Sequence, residues 1–95
     1  MQFKSPWSPA YQFTAQKDSI NKINKWGCRD KAGVYVIRDE TDTQTLYVGK
    51  AENTGSDIQT RLSKHLTGWG NGRIAAQVDD GKTFVVRWVE SSHPG

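Results

Sequence analysis

Apolar and polar positions alternate with a period of two over Gly33–Arg38 (GVYVIR) and again over Thr45–Lys50 (TLYVGK), which predicts two strands. The polar run Asp39–Gln44 (DETDTQ) between them predicts an antiparallel hairpin. Gly33, Tyr35 and Ile37 fall on one face, and Val34, Val36 and Arg38 on the other. On the return strand Tyr47 shares a face with Thr45 and Gly49, so both tyrosines are expected on one side of the sheet. Lys82–Glu90 (KTFVVRWVE) predicts a third strand, with Phe84, Val86 and Trp88 facing one way and Val85 and Val89 the other. A strand apolar on both faces is expected at the centre of a sheet.

Helical spacing appears three times. Asp18 and Ser19 are cap residues for a helix over Ile20–Trp26, with a stripe of Ile20, Ile23 and Trp26, and Gly27 stands where a left-handed residue ends a helix. Asp57 is the cap for Ile58–Leu66, where Ile58, Leu62 and Leu66 recur every four residues. Arg61 and His65 lie about 60° from that stripe, at its edge and beside one another. Asn71 is the cap for a short helix over Arg73–Val78. Before it, the glycine-rich loop Thr67–Gly72 (TGWGNG) carries Trp69 at its tip. Residues 1–16 are aromatic and interrupted by Pro6 and Pro9, and predict an irregular strap in which Phe3, Trp7, Tyr11 and Phe13 lie on the domain. Base stacking is the alternative for those rings. The elements add up to a single α+β domain spanning 1–95, a small three-stranded mixed sheet flanked by short helices.

Composition narrows the function classes. A chain of 95 residues with 35% hydrophobic content has a modest core, in which its four tryptophans can serve as anchors. The net charge of +3 suits a polyanionic partner and equally a solvated basic surface. One cysteine, Cys28, excludes an internal disulfide; with no base in view it reads as a buried small residue rather than a nucleophile. Two histidines and one cysteine exclude a structural zinc site built on the usual four His and Cys ligands. No apolar run has signal-peptide length or reaches the roughly 20 residues needed to cross a bilayer, so the expectation is a cytoplasmic protein with no membrane partner.

Gly33-Val34-Tyr35, Tyr47-Val48-Gly49, Lys50-Ala51 after the second triplet, Arg61 on the next helix and His65 one turn later, in this order, resemble the GIY-YIG endonucleases. The resemblance covers about residues 32–90. It implies hydrolysis of DNA phosphodiester bonds with one Mg2+ or Mn2+ ion. Tyr35 or Tyr47 would position or deprotonate the attacking water, with Lys50 as the cation that eases phenol ionisation. Arg61 would hold the scissile phosphate and His65 would donate to it or relay a proton. Gly49 would let backbone approach the site, and Gly49, Lys50, Arg61 and Trp69 would contact nucleic acid. The family's metal-binding glutamate lies on a helix after the third strand. Here the sequence ends at Gly95, where that helix is expected; Glu90 comes too early and Glu52 matches nothing. The resemblance therefore assigns no metal ligand. It leaves open a truncated nuclease domain and a non-catalytic module that keeps the fold and binds nucleic acid or protein. In either case the strap, a second copy or a protein partner is expected to cover the sheet face that the helix would cover.

Overall fold

The computed structural model describes residues 7–52 and 56–91. Phe3 and Pro6 of the expected strap, the middle of the loop after Ala51 and the last four residues lie outside the described residues. Seven elements run in the order β1 (Tyr11–Thr14), α1 (Ile20–Asn24), β2 (Gly33–Arg38), β3 (Thr45–Ala51), α2 (Ile58–Leu66), α3 (Gly72–Asp79) and β4 (Thr83–Glu90). The strands form one sheet in the order β1-β4-β2-β3, and every neighbouring pair is antiparallel.

Two expectations are corrected here. The sheet has four strands rather than three, and it is antiparallel throughout rather than mixed. The extra strand comes from the supposed strap: Tyr11 pairs with Val86 and Phe13 with Phe84. Its cause is non-local. β4 is apolar on both faces and central, as its pattern implies, so both of its edges need backbone partners. β2 satisfies one edge and Tyr11–Thr14 the other. Pro9 precedes the strand and does not interrupt it.

The aromatic residues of β1 pack inward. The Tyr11 ring stacks on Trp26 and Trp88, with centroids 5.3 and 5.0 Å away, and Phe13 meets Trp26 edge-on at 6.4 Å. The N-terminal segment thus extends the sheet edge instead of covering a face. Trp26 and Trp88 are the two tryptophans that anchor the core, while Trp7 and Trp69 are exposed. One continuous core joins Phe13, Tyr35, Ile37, Phe84, Val86 and Trp88 of the sheet to Ile23, Ile58, Leu62, Leu66, Ile74 and Val78 of the helices. On the opposite face Val34 and Val36 are half-buried and Val48 is exposed.

Local signals fall where the sequence places them. Asp57 accepts from the Thr60 N–H at 2.7 Å, and Asn71 accepts from the N–H groups of Arg73 and Ile74, capping α2 and α3. Gly27 is left-handed, with φ +85°, but α1 ends at Asn24 rather than at the expected Trp26, with Lys25 as its C-cap. Asp18, expected as a cap for α1, instead accepts from Thr14 N–H and from Lys22, and Ile20 of the expected stripe is 46% exposed. Cys28 is buried, and desolvation pushes its thiol up to about 11, which makes it an unreactive core residue at neutral pH. Among the described residues no helix is long and apolar enough to cross a membrane.

Candidate active site

The β2–β3 hairpin and the inner edge of α2 bring three rings together. In the hairpin register Tyr35 faces Gly49 and Ile37 faces Tyr47, so both tyrosines project toward α2. The Tyr47 and His65 centroids are 4.5 Å apart, Tyr35 and His65 5.8 Å, and Tyr35 and Tyr47 6.2 Å. Tyr35 is 1% exposed and His65 7%, whereas Tyr47 is only partly buried. Tyr47 is therefore the member of the trio that reaches solvent.

Glycines make room for this arrangement. A Cβ on Gly49 would overlap the ring and hydroxyl of Tyr35, which lie across that residue. Gly49 thus makes room for the Tyr35 ring. A Cβ on Gly70 would overlap the His65 imidazole in the same way. Gly70 was not singled out in the sequence; its only signal there is its place among the glycines around Trp69. It also explains why His65 is buried rather than at the helix edge. The ring turns inward over Gly70 and lies under the tyrosines.

The hydrogen bonds around His65 determine its tautomer. The Asn71 backbone N–H donates to Nδ1 at 3.2 Å, so Nδ1 carries a lone pair. Burial, with the nearby Arg61 charge, lowers the imidazole pKa below 6.5 and favours the neutral ring. Its proton then sits on Nε2 and is donated to the Tyr35 hydroxyl oxygen at 3.0 Å. Desolvation, and next the Tyr47 hydroxyl beside it, push the Tyr35 phenol up to about 12, against a smaller opposing pull from Arg61. Tyr35 stays protonated at neutral pH, and its ring packs against that of Tyr47. Asn71, absent from the sequence-derived set, both caps α3 and orients His65.

The lowered His65 pKa has a measurable consequence. Between the folded-state pKa and 6.5 the unfolded chain binds more protons than the folded one, so stability falls as the pH drops through that window and is full above it. Thermal unfolding scanned from about pH 7.5 to 5 is expected to show this decline, and His65→Gln is expected to flatten it. An equal slope in the variant would assign the decline to other groups.

Arg61 is exposed one turn before His65, and its charge is felt at both Tyr35 and His65. Its guanidinium has no salt-bridge partner among the described residues. Lys50 is not part of this constellation. It pairs in register with Val34, on the opposite face of the hairpin from Tyr35 and Gly49, and its ammonium lies 3.3 Å from Glu52. Trp69 is 83% exposed and lies with Thr60, Ser63 and Lys64 of α2 rather than with the three rings. The residues brought together are therefore Tyr35, Tyr47, Gly49, Arg61 and His65, without Lys50.

Among the described residues, no group of three or more His, Cys, Asp or Glu side chains could hold a metal ion. Both ring nitrogens of His65 are engaged, and Glu90 pairs with Lys31 at 3.5 Å. The described residues do not fit a divalent-metal site, and no chemical step is assigned to one.

Neither the curated proteins nor the solved structures contain a match to this chain. A family model described as the GIY-YIG catalytic domain matches residues 31–94, a span that begins just before the first tyrosine triplet and takes in the hairpin, α2, α3 and β4. With two thirds of its length covered by that match, the chain belongs to the GIY-YIG family.

Proposed function

We propose that the surface formed by Tyr47 and Arg61, over the buried His65, binds and hydrolyses a phosphodiester of DNA. The observation that carries this reading is the hydrogen-bonded order Asn71, His65, Tyr35 packed against the solvent-facing Tyr47, beside an arginine with no salt-bridge partner among the described residues. A free phenol, with a pKa near 10, is a poor base at neutral pH. Tyr47 is held against the Tyr35 and His65 rings, with centroids 6.2 and 4.5 Å away, which limits the positions its hydroxyl can take. The Tyr47 phenolate, formed by loss of its proton to bulk water, takes a proton from the attacking water as the water oxygen bonds to phosphorus. Arg61 pairs with the phosphate oxygens and offsets the charge that grows on them, and the leaving sugar oxygen departs as it takes a proton from bulk water. Tyr35 and His65 act through Tyr47 as positioning residues.

Members of this family generally depend on a divalent metal ion. Because the described side chains do not assemble ligands for one, magnesium and manganese enter as conditions of the assay. The same observation favours a second reading, in which this fold binds nucleic acid or protein without cutting it.

Nicking of supercoiled plasmid separates the two. Wild type with magnesium or manganese is expected to relax the plasmid, Tyr47→Phe to lose about a hundredfold in rate, and Tyr35→Phe to lose less. Binding without relaxation under either metal would favour the second reading. A larger loss in Tyr35→Phe than in Tyr47→Phe would reverse the assigned roles.

A further inference from the structure

A groove runs between α1 and α2 on the side of α2 away from the core. Ile20 and Asn24 form one wall, Thr60, Ser63 and Lys64 the other, and Trp69 closes its end. Trp69 is 83% exposed and Ile20 46%, so the groove presents apolar surface to water at two points. The groove is tied together, since Gln59 Nε2 donates to Asn24 Oδ1 at 2.8 Å and joins the two helices. The Trp69 N–H donates to the Lys64 carbonyl at 2.8 Å, which fixes the loop to the end of α2. Gly68, with φ +91°, turns the chain there.

Three features indicate what this groove takes. A rigidly attached, solvent-facing indole offers a flat stacking surface. The walls carry small neutral hydroxyl and amide groups, which match the donors and acceptors of a base edge and would bind a charged peptide poorly. The Lys64 ammonium, with no salt-bridge partner among the described residues, supplies a single positive charge for a phosphate. The groove is also continuous with the proposed cleavage surface. Lys64 is three residues from Arg61 on the same helix, so their side chains are neighbours. Trp69 is adjacent in sequence to Gly70, on which His65 rests.

We infer that this groove binds an unpaired nucleotide of the DNA strand next to the phosphate held by Arg61, with its base stacked on Trp69. A base paired inside a duplex presents only its edges, so a substrate filling the groove has a single-stranded or opened segment beside the cut. This inference rests on the proposed DNA-binding surface and adds the class of substrate to it.

Fluorescence anisotropy with a labelled single-stranded oligonucleotide, and with the blunt duplex of the same sequence, tests it at fixed low salt. Trp69→Leu is expected to weaken single-strand binding by about five- to a hundredfold, as loss of one stacked base does, and to leave duplex binding within about twofold. Trp69→Phe is expected to keep most of the affinity, because it keeps a stacking face. Lys64→Ala is expected to weaken single-strand binding and reduce its salt dependence. Unchanged single-strand binding in Trp69→Leu, or equal losses on both probes, overturns the inference while the DNA-binding reading stands. Failure of wild type to bind either probe overturns both.

Discussion

Arg61→Ala is expected to lower the rate of plasmid nicking by about a thousandfold and to leave the thermal midpoint within about 2 °C of wild type. The two halves of this expectation have separate causes. Arg61 is exposed and makes no salt bridge among the described residues, so its removal opens no cavity and strands no buried partner. Its charge nevertheless reaches Tyr35 and His65, which places it beside the region where a phosphate would gain negative charge. An electrostatic donor serving a transition state gives about this magnitude when deleted. Arg61→Lys is expected to recover only part of the loss, because an ammonium cannot make the paired contacts of a guanidinium. A low rate accompanied by a large drop in midpoint would instead mark Arg61 as a structural residue.

Gly49→Ala is expected to destabilise the domain by about 1–3 kcal/mol, the usual cost of overpacking. The added methyl meets the aromatic ring and hydroxyl of Tyr35 and not the end of a flexible chain. Tyr35 itself is confined by His65 and Tyr47, so its ring has little space to move. At roughly 4–8 °C per kcal/mol for a domain of this size, the midpoint should fall by several degrees at least. Any displacement of Tyr35 also breaks its contact with His65, so nicking should fall along with stability. Urea unfolding followed by tryptophan fluorescence measures the first effect. A variant as stable as wild type would show that Tyr35 does not rest on Gly49 in solution.

These two residues also show how legible the protein was from its sequence. Local patterns carried most of the fold. Period-two alternation placed the hairpin and central β4, and cap residues placed the starts of α2 and α3, whereas α1 ends at Asn24, short of the Trp26 and Gly27 that its pattern pointed to. β1 escaped because the open edge of β4 selects it. Nothing within residues 1–16 announces that partner, and the two prolines argue for irregular chain. Arg61 and the tyrosines were found through their order in the chain, and the structure gathers them at one surface. Lys50 shows the opposite. The alternation that put Tyr47 and Gly49 on one face already put Lys50 on the other, and the family pattern alone drew it into the site. Burial of His65 was not legible, because the space for its ring is made by Gly70, beyond the end of its helix. The fit of the Tyr35 ring over Gly49 was not legible either, because the two residues meet only through the hairpin register.

The proposed hydrolytic site on the α2 face of the sheet is tested by one comparison of plasmid nicking, Arg61→Ala against Lys50→Ala with wild type alongside and magnesium or manganese supplied. The α2 side of the hairpin carries Tyr47, Arg61 and His65, and Lys50 lies on the other side. The expected result is cleavage by wild type, a rate within about threefold of it for Lys50→Ala, and a loss of about a thousandfold for Arg61→Ala. Equal losses in the two variants, or a wild type that binds DNA and leaves it uncut, would contradict a hydrolytic site on the α2 face.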